Sequence, residues 1–240
     1  MHVKAGIFSL TAPGGTDDDE YLKWHLLDHM PEQYQLPGIV LGQRWIADGR
    51  YLDARIVSQG SLGNVGNVVS YLVTDPVART LDDFMDLGAR LSEAGRYPHP
   101  RPALQVAALR LLDWHASPTA VISPEVVPFR PHRGVVVILE QPVTDSHEWL
   151  GWIHTQHLPE LMGVAGVAGA WMFGSTAAWA PAAPMWSRSR QYITVVYLDS
   201  DPLAASSALR AMIEQRWESG VVVPVFAGPL RSMTHWEAWP

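Results

Sequence analysis

The chain of 240 residues contains no cysteine. That absence removes disulfides, thiolate nucleophiles, iron–sulfur clusters and the usual structural zinc sites together. No apolar run reaches the roughly 20 residues a membrane-spanning helix needs, so a membrane is not expected as a partner. A basic stripe is missing too. The 17 Lys and Arg are scattered through a chain of net charge −7, which leaves no footprint for a phosphate backbone and makes nucleic acid an unexpected partner. The opening residues, Met1-His2-Val3-Lys4-Ala5-Gly6-Ile7-Phe8, alternate like a strand. They lack the basic start, long apolar stretch and small-residue cleavage site of a secretory signal, so a cytoplasmic location is the expectation. With 48% hydrophobic and 17% charged residues, the chain is too apolar to be disordered.

What is present is a repeat. Trp24-His25-Leu26-Leu27-Asp28-His29-Met30-Pro31-Glu32 returns 128 positions later as Trp152-Ile153-His154-Thr155-Gln156-His157-Leu158-Pro159-Glu160, with Trp, His, Pro and Glu in register and a glycine following at Gly38 and Gly166. Self-similarity at this spacing predicts two copies of one unit, 1–116 and 133–240. The four prolines between Ser117 and Pro131 suit an extended linker over 117–132.

Periodicity gives each copy the same order of elements. The first reads as strand 3–10, helix 18–35 capped by Thr16 or Asp17, strand 40–47 with a hairpin signal at Asp48-Gly49, strand 68–74, helix 77–91 and strand 104–112. The second repeats it over 134–139, 146–162, 166–173, 193–198, 202–217 and 221–233. Pro31 cannot donate to the carbonyl of Leu27 and should kink the first helix. The predicted fold class is α+β: two tandem ferredoxin-like βαββαβ repeats whose sheets face each other in an intrachain pseudo-dimer.

These residues resemble the dimeric α/β-barrel superfamily and, within it, EthD-like proteins. In that family the first helix carries Trp-Tyr-x-x-x-His-x-Pro-Glu, followed by a Leu/Val-Pro-Gly turn and an Arg-aromatic pair on the next strand. Trp24, His29, Pro31, Glu32, Leu36-Pro37-Gly38 and Arg44-Trp45 match it. The second copy matches at Trp152, His157, Pro159, Glu160 and Gly166, but has Ala165 for the proline and Trp171-Met172-Phe173 where the cation is expected. The superfamily includes polyketide cyclases, muconolactone isomerases, cofactor-free monooxygenases and haem enzymes. The resemblance therefore implies a small-molecule enzyme and leaves its reaction open.

Imidazole titrates near neutral pH and suits general-base work. The expected catalytic set is His29 as base, Glu32 as its orienter, Arg44 as stabiliser of an enolate or phenolate, and Tyr34 as a weaker proton donor. Trp24, His25, Trp45, His157, Trp179 and Trp186 are the candidate contacts to an apolar or aromatic substrate in a barrel cavity. Trp179 and Trp186 lie in an Ala/Pro-rich loop that either lids the pocket or covers a sheet edge. For His29 and His157 a second reading stands beside the catalytic one, in which the ring ties down the proline kink. A non-catalytic ligand-binding barrel is the rival class.

A metal on His25, His29 and Glu32 is not expected, because the second copy breaks that spacing with Ile153 and His154. His115 and His235, each beside a tryptophan, read as packing or strand ends. No cofactor is expected, although haem stays open through the resemblance. A homo-oligomer is compatible with all of this.

Overall fold

The computed structural model describes residues 2–13, 18–99, 101, 103–175 and 189–233. In the first half, strands β1 (Ala5–Thr11), β2 (Ile39–Ile46), β4 (Asn67–Val73) and β5 (Ala103–Ala116) form an antiparallel sheet in the order β2-β4-β1-β5. In the second, β6 (Gly134–Pro142), β7 (Val167–Gly174), β8 (Tyr192–Leu198) and β9 (Val222–Ser232) repeat that order as β7-β8-β6-β9. Each half is thus ferredoxin-like. The halves join edge to edge, β5 with β7 and β2 with β9, where Trp45 and Ile46 lie opposite Ser232 and Arg231. A short strand, β3 (Val57–Ser58), also pairs with β9.

Eight strands therefore close into a barrel. Alternation along each strand sends Phe8, Leu10, Trp45, Leu72, Trp171, Phe173 and Tyr197 inward, where they fill the interior with side chains. The helices cover the outside. On the first half lie α1 (Asp18–Trp24), α2 (Met30–Gln33) and α4 (Val77–Glu93); on the second, α5 (His147–Trp152), α6 (Leu158–Leu161) and α7 (Pro202–Gln215). Among the described residues no helix is long and apolar enough to cross a membrane.

The expected kink is absorbed differently in both halves. Pro31 and Pro159 have no N–H to close the α-ladder, and the chain widens into π-turns over His25–His29 and Ile153–His157, in which Met30 N–H donates to His25 O and Leu158 N–H to Ile153 O. Asp48-Gly49 does not make a hairpin. Gly49, at φ +41°, leads instead into the one-turn α3 (Arg50–Asp53) and on to β3, because that segment finds its partner on β9. The proline-rich segment is packed, not extended: it forms 3₁₀ turns at Pro118–Ala120 and Pro124–Phe129, with Val127 fully buried and the Trp171 indole donating to Pro124 O at 3.0 Å. Its apolar side chains close on the barrel core. The cap expected at Thr16 or Asp17 lies outside the described residues, as do Trp179, Trp186 and His235.

Candidate functional site

Because the barrel interior is solid, the substantial cavity lies elsewhere. It occupies about 580 Å³ between the outer face of the first sheet and the helices that cover it. That volume falls within the range of small-molecule sites. Strand alternation turns Ile7, Ser9 and Thr11 of β1, Arg44 of β2, Val69 and Tyr71 of β4 and Val106 of β5 toward it. Tyr21, Trp24, His25, His29 and Gln33 close it from the first helical segment, and Phe84, Met85 and Gly88 from α4. Tyr97, His99 and Arg101 complete the wall.

Arg44 dominates the electrostatics. Its side chain is buried, Nη1 donating to Asn67 Oδ1 at 3.1 Å and Nη2 to the Tyr21 hydroxyl at 3.0 Å, with the guanidinium 4.9 Å from the Tyr21 ring centre. Its Nε–H has no partner, and no carboxylate pairs with it among the described residues. A buried cation without an anion costs several kcal/mol in the effective penalty of real proteins.

Beside Arg44 stand two imidazoles. His25 is buried with Nδ1 unpartnered, and its pKa lies well below the usual imidazole value, first through burial and then through Arg44 and His29. His29 stacks on Trp24 at 5.1 Å and lies 5.1 Å from Tyr97 and 5.2 Å from His25, ring centre to ring centre. Its pKa is pushed down to about 4 by burial and then by Arg44, against the opposing pull of Asp28 and Glu32. Both rings are neutral at pH 7 and free to accept a proton. Thr11 Oγ1, Gln33 Oε1 and the Tyr71 hydroxyl add further unpartnered buried polar atoms to the same wall.

Of the residues expected from the sequence, His29, His25, Trp24 and Arg44 come together here. Glu32 does not join them: it receives Arg96 at 3.0 Å and Gln35 at 2.8 Å, and no hydrogen bond links it to His29 among the described residues. Arg96 also holds Asp28 at 2.8 Å, so this triad clamps the helix from outside the cavity. Tyr34 is exposed and accepts the Gly42 N–H at 2.9 Å, away from the wall. Trp45, one position from Arg44, points the opposite way into the barrel core. His157 is wholly enclosed against Trp152, its ring centre 4.8 Å away, and lines no described cavity. Gln33, Thr11 and Tyr71 were not foreseen, since nothing in a strand pattern says which half leaves its outer face unfilled.

Three imidazoles line this cavity, His25, His29 and His99, and a haem there would take one of them. Metal-ligating imidazoles almost always donate their far nitrogen to a carboxylate or carbonyl, which fixes tautomer and ring orientation. Among the described residues neither His25 nor His29 makes such a bond, so neither is held as a fixed axial ligand.

No family profile matches the chain, and no curated protein matches its sequence. Solved structures do. A dye-decolorizing peroxidase from Bacteroides thetaiotaomicron superposes with TM-score 0.60 at 6% identity, over 99% of this chain and 95% of that one. A mutant chlorite dismutase from Candidatus Nitrospira defluvii gives 0.53 at 15%, over 99% and 95%. An anthrone oxidase-like protein gives 0.52 at 11%, over 97% and 92%. Identities this low carry the fold and no more, and that fold is the dimeric α/β barrel, here closed within a single chain.

Proposed function

We propose that the first-half cavity is the active site of an EthD-like small-molecule enzyme of isomerase, lyase or cyclase type. It works without a cofactor, on an apolar or aromatic substrate bearing an acidic C–H or O–H. One observation supports this above the others: a buried guanidinium with an unclaimed Nε–H lines the same cavity as two neutral imidazoles.

A carbonyl or phenolic oxygen of the substrate accepts from the Arg44 guanidinium, which acidifies the neighbouring proton. His29 takes that proton, and the charge developing on oxygen meets a cation already in place. Arg44 is itself the second cause of the low His29 pKa. Placing negative charge beside it raises the basicity of His29 at the moment the proton moves. The imidazolium then returns the proton to another atom of the same molecule, completing an isomerisation or ring closure, or gives it to a leaving group. Glu32, held by Arg96, enters only as a charge behind His29, and His25 is a second proton site 5.2 Å from it.

The test needs no known substrate. A panel of cyclic 1,3-diketones and polyhydroxylated aromatics is incubated with the protein in D₂O, and exchange at acidic carbons is followed by NMR. Catalysed exchange that is lost in His29→Ala, with binding weakened in Arg44→Met, is the expected result. Binding without exchange would mean a ligand carrier, and neither binding nor exchange would sink the assignment. The haem reading is checked by the visible spectrum of the purified protein, where a strong Soret band would overturn the cofactor-free mechanism.

A further inference from the structure

Three metal-ligating side chains converge at the seam between the halves, away from the cavity. Asp113 and His115 belong to β5, and His154 to the second π-turn. His154 Nδ1 lies 2.7 Å and His115 Nε2 3.0 Å from the same oxygen, Asp113 Oδ2, and all three donor atoms fall within 4.8 Å of one another.

The backbone goes out of its way to assemble them. Along β5, Leu109 and Leu111 point into the barrel, and strict alternation would send Asp113 and His115 after them. A bulge between Leu111 and Asp113 breaks the register with β7, so that Asp113 lies opposite Met172 and His115 opposite Ala170, two residues of the outer, helix-facing side. The extra residue flips both polar side chains out of the core and under the second helical segment. There the π-turn presents His154, in the position where the first half has Leu26.

We propose that Asp113, His115 and His154 form a binding site for a divalent first-row transition cation of zinc type. Two imidazoles and one carboxylate form a borderline donor set that disfavours Mg²⁺ and Ca²⁺, which take oxygen ligands. Ligands about 2.0–2.2 Å from a tetrahedral ion stand somewhat over 3 Å apart, so the two nitrogens, now 2.7 and 3.0 Å from the Asp113 oxygen, would move apart from it by about half an ångström to admit one. The carboxylate is also held from behind, since Asp113 Oδ1 accepts the Trp114 N–H at 2.9 Å. Three protein ligands leave a coordination position for water or a small anion. It opens on a hollow of about 330 Å³ lined by Leu112, Leu150, Gly151, Ile153 and Met172. Asp113 is buried, whereas the His154 side chain is 62% exposed and gives the ion its entry path.

The experiment uses the full chain without a histidine tag. Zn²⁺ binding is measured by calorimetry, and Co²⁺ binding by its visible absorption, which reports coordination number. One ion per chain is expected, with a four- or five-coordinate Co²⁺ spectrum and proton release that grows at lower pH. His154→Ala, a surface change that leaves the fold intact, should weaken binding by about tenfold or more. Asp113→Asn, which keeps the shape of the side chain, should do the same, whereas His29→Ala should leave the affinity unchanged. Absence of saturable binding overturns the site. So does equal affinity in parent and His154→Ala, or an octahedral, weakly absorbing Co²⁺ complex.

Discussion

The two halves share a backbone plan and differ in what lies between sheet and helix. In the first half that layer encloses the cavity of about 580 Å³. In the second it is filled by Trp149, Ile153, Leu158, Met172 and Tyr192. Strand registers match the positions: Arg44 lies opposite Val69, and Met172 opposite Thr194, at the same place in each sheet. Along the helices His25 becomes Ile153 and Gln33 becomes Leu161. The second half has a buried arginine of its own, Arg216, but Glu140 neutralises it at 2.6 and 2.9 Å, with Thr194 and Trp217 completing the network. A paired internal charge serves the structure. Arg44 has no such carboxylate among the described residues and lines a cavity, and that distinction, more than the repeated histidine, tells the halves apart.

The largest effect that sharpens the comparison is on turnover. On whichever panel compound exchanges, His29→Ala should lower the rate by about 100- to 10,000-fold, the usual contribution of a general base. His157→Ala should cost far less, because its ring touches no described cavity. Equal losses would mean that the halves are functionally equivalent and that the electrostatic contrast has been misread.

Stability should show the reverse order. Glu140→Gln leaves the Arg216 guanidinium buried without its anion and should cost about 3–5 kcal/mol in denaturant unfolding. Arg44→Met, which installs the residue of the second half, removes a cation that has no anion to lose. It loses two donors, to Asn67 Oδ1 and the Tyr21 hydroxyl, but also relieves the cost of an unpaired buried cation, so it should be clearly less damaging than Glu140→Gln. If Arg44→Met proved as damaging as Glu140→Gln, Arg44 would be a structural residue.

Acid should weaken the fold through both histidines. His157 is pushed down to about 3, first by burial and then by Arg216, while an unfolded imidazole titrates near 6.5. Above pH 6.5 neither state is protonated and nothing is lost. As pH falls below that value the unfolded chain gains a proton that the folded chain refuses, so stability declines until pH reaches the folded pKa near 3 and then levels off. His29 adds a similar decline that ends near pH 4. Replacing His157 with an apolar residue of similar size should flatten the acid limb of an unfolding-versus-pH series, leaving the part carried by His29, His25 and His132, whose pKa values are lowered too.

Much of this was legible in the sequence, and the failures have physical causes. The repeat and the strand and helix periods carried the ferredoxin-like order, because both periods are imposed by burial. His29 and Arg44 came from the repeated motif and the family resemblance. Trp45 was placed beside Arg44 although adjacent strand residues face opposite ways, a signal that was available. Glu32 and Tyr34 stand apart from the cavity because each finds its partner elsewhere, Glu32 in Arg96 and Tyr34 in the Gly42 backbone, and no local pattern announces those contacts. Asp113 and His115 were beyond reach. Their side is set by a bulge whose register depends on β7, some 60 residues away in sequence, and no local pattern encodes it.

The smallest effect isolates the field of each arginine. Burial is the first cause of both low histidine pKa values, and the second is the arginine of the same half, Arg44 for His29 and Arg216 for His157. Arg44→Met should therefore lift the His29 midpoint above about 4 without returning it to the ordinary value, since burial remains. His157 should stay at about 3, because Glu140 and Arg216 are untouched. NMR titration of the imidazole C–H signals, assigned with His29→Ala and His157→Ala, reads both shifts in one experiment. A matching anionic aromatic ligand should move His29 in the same direction in the parent protein, by cancelling the charge that the substitution removes. If His29 moved with neither, Arg44 would not be acting on the base, and the coupling between anion binding and proton transfer would have to be abandoned.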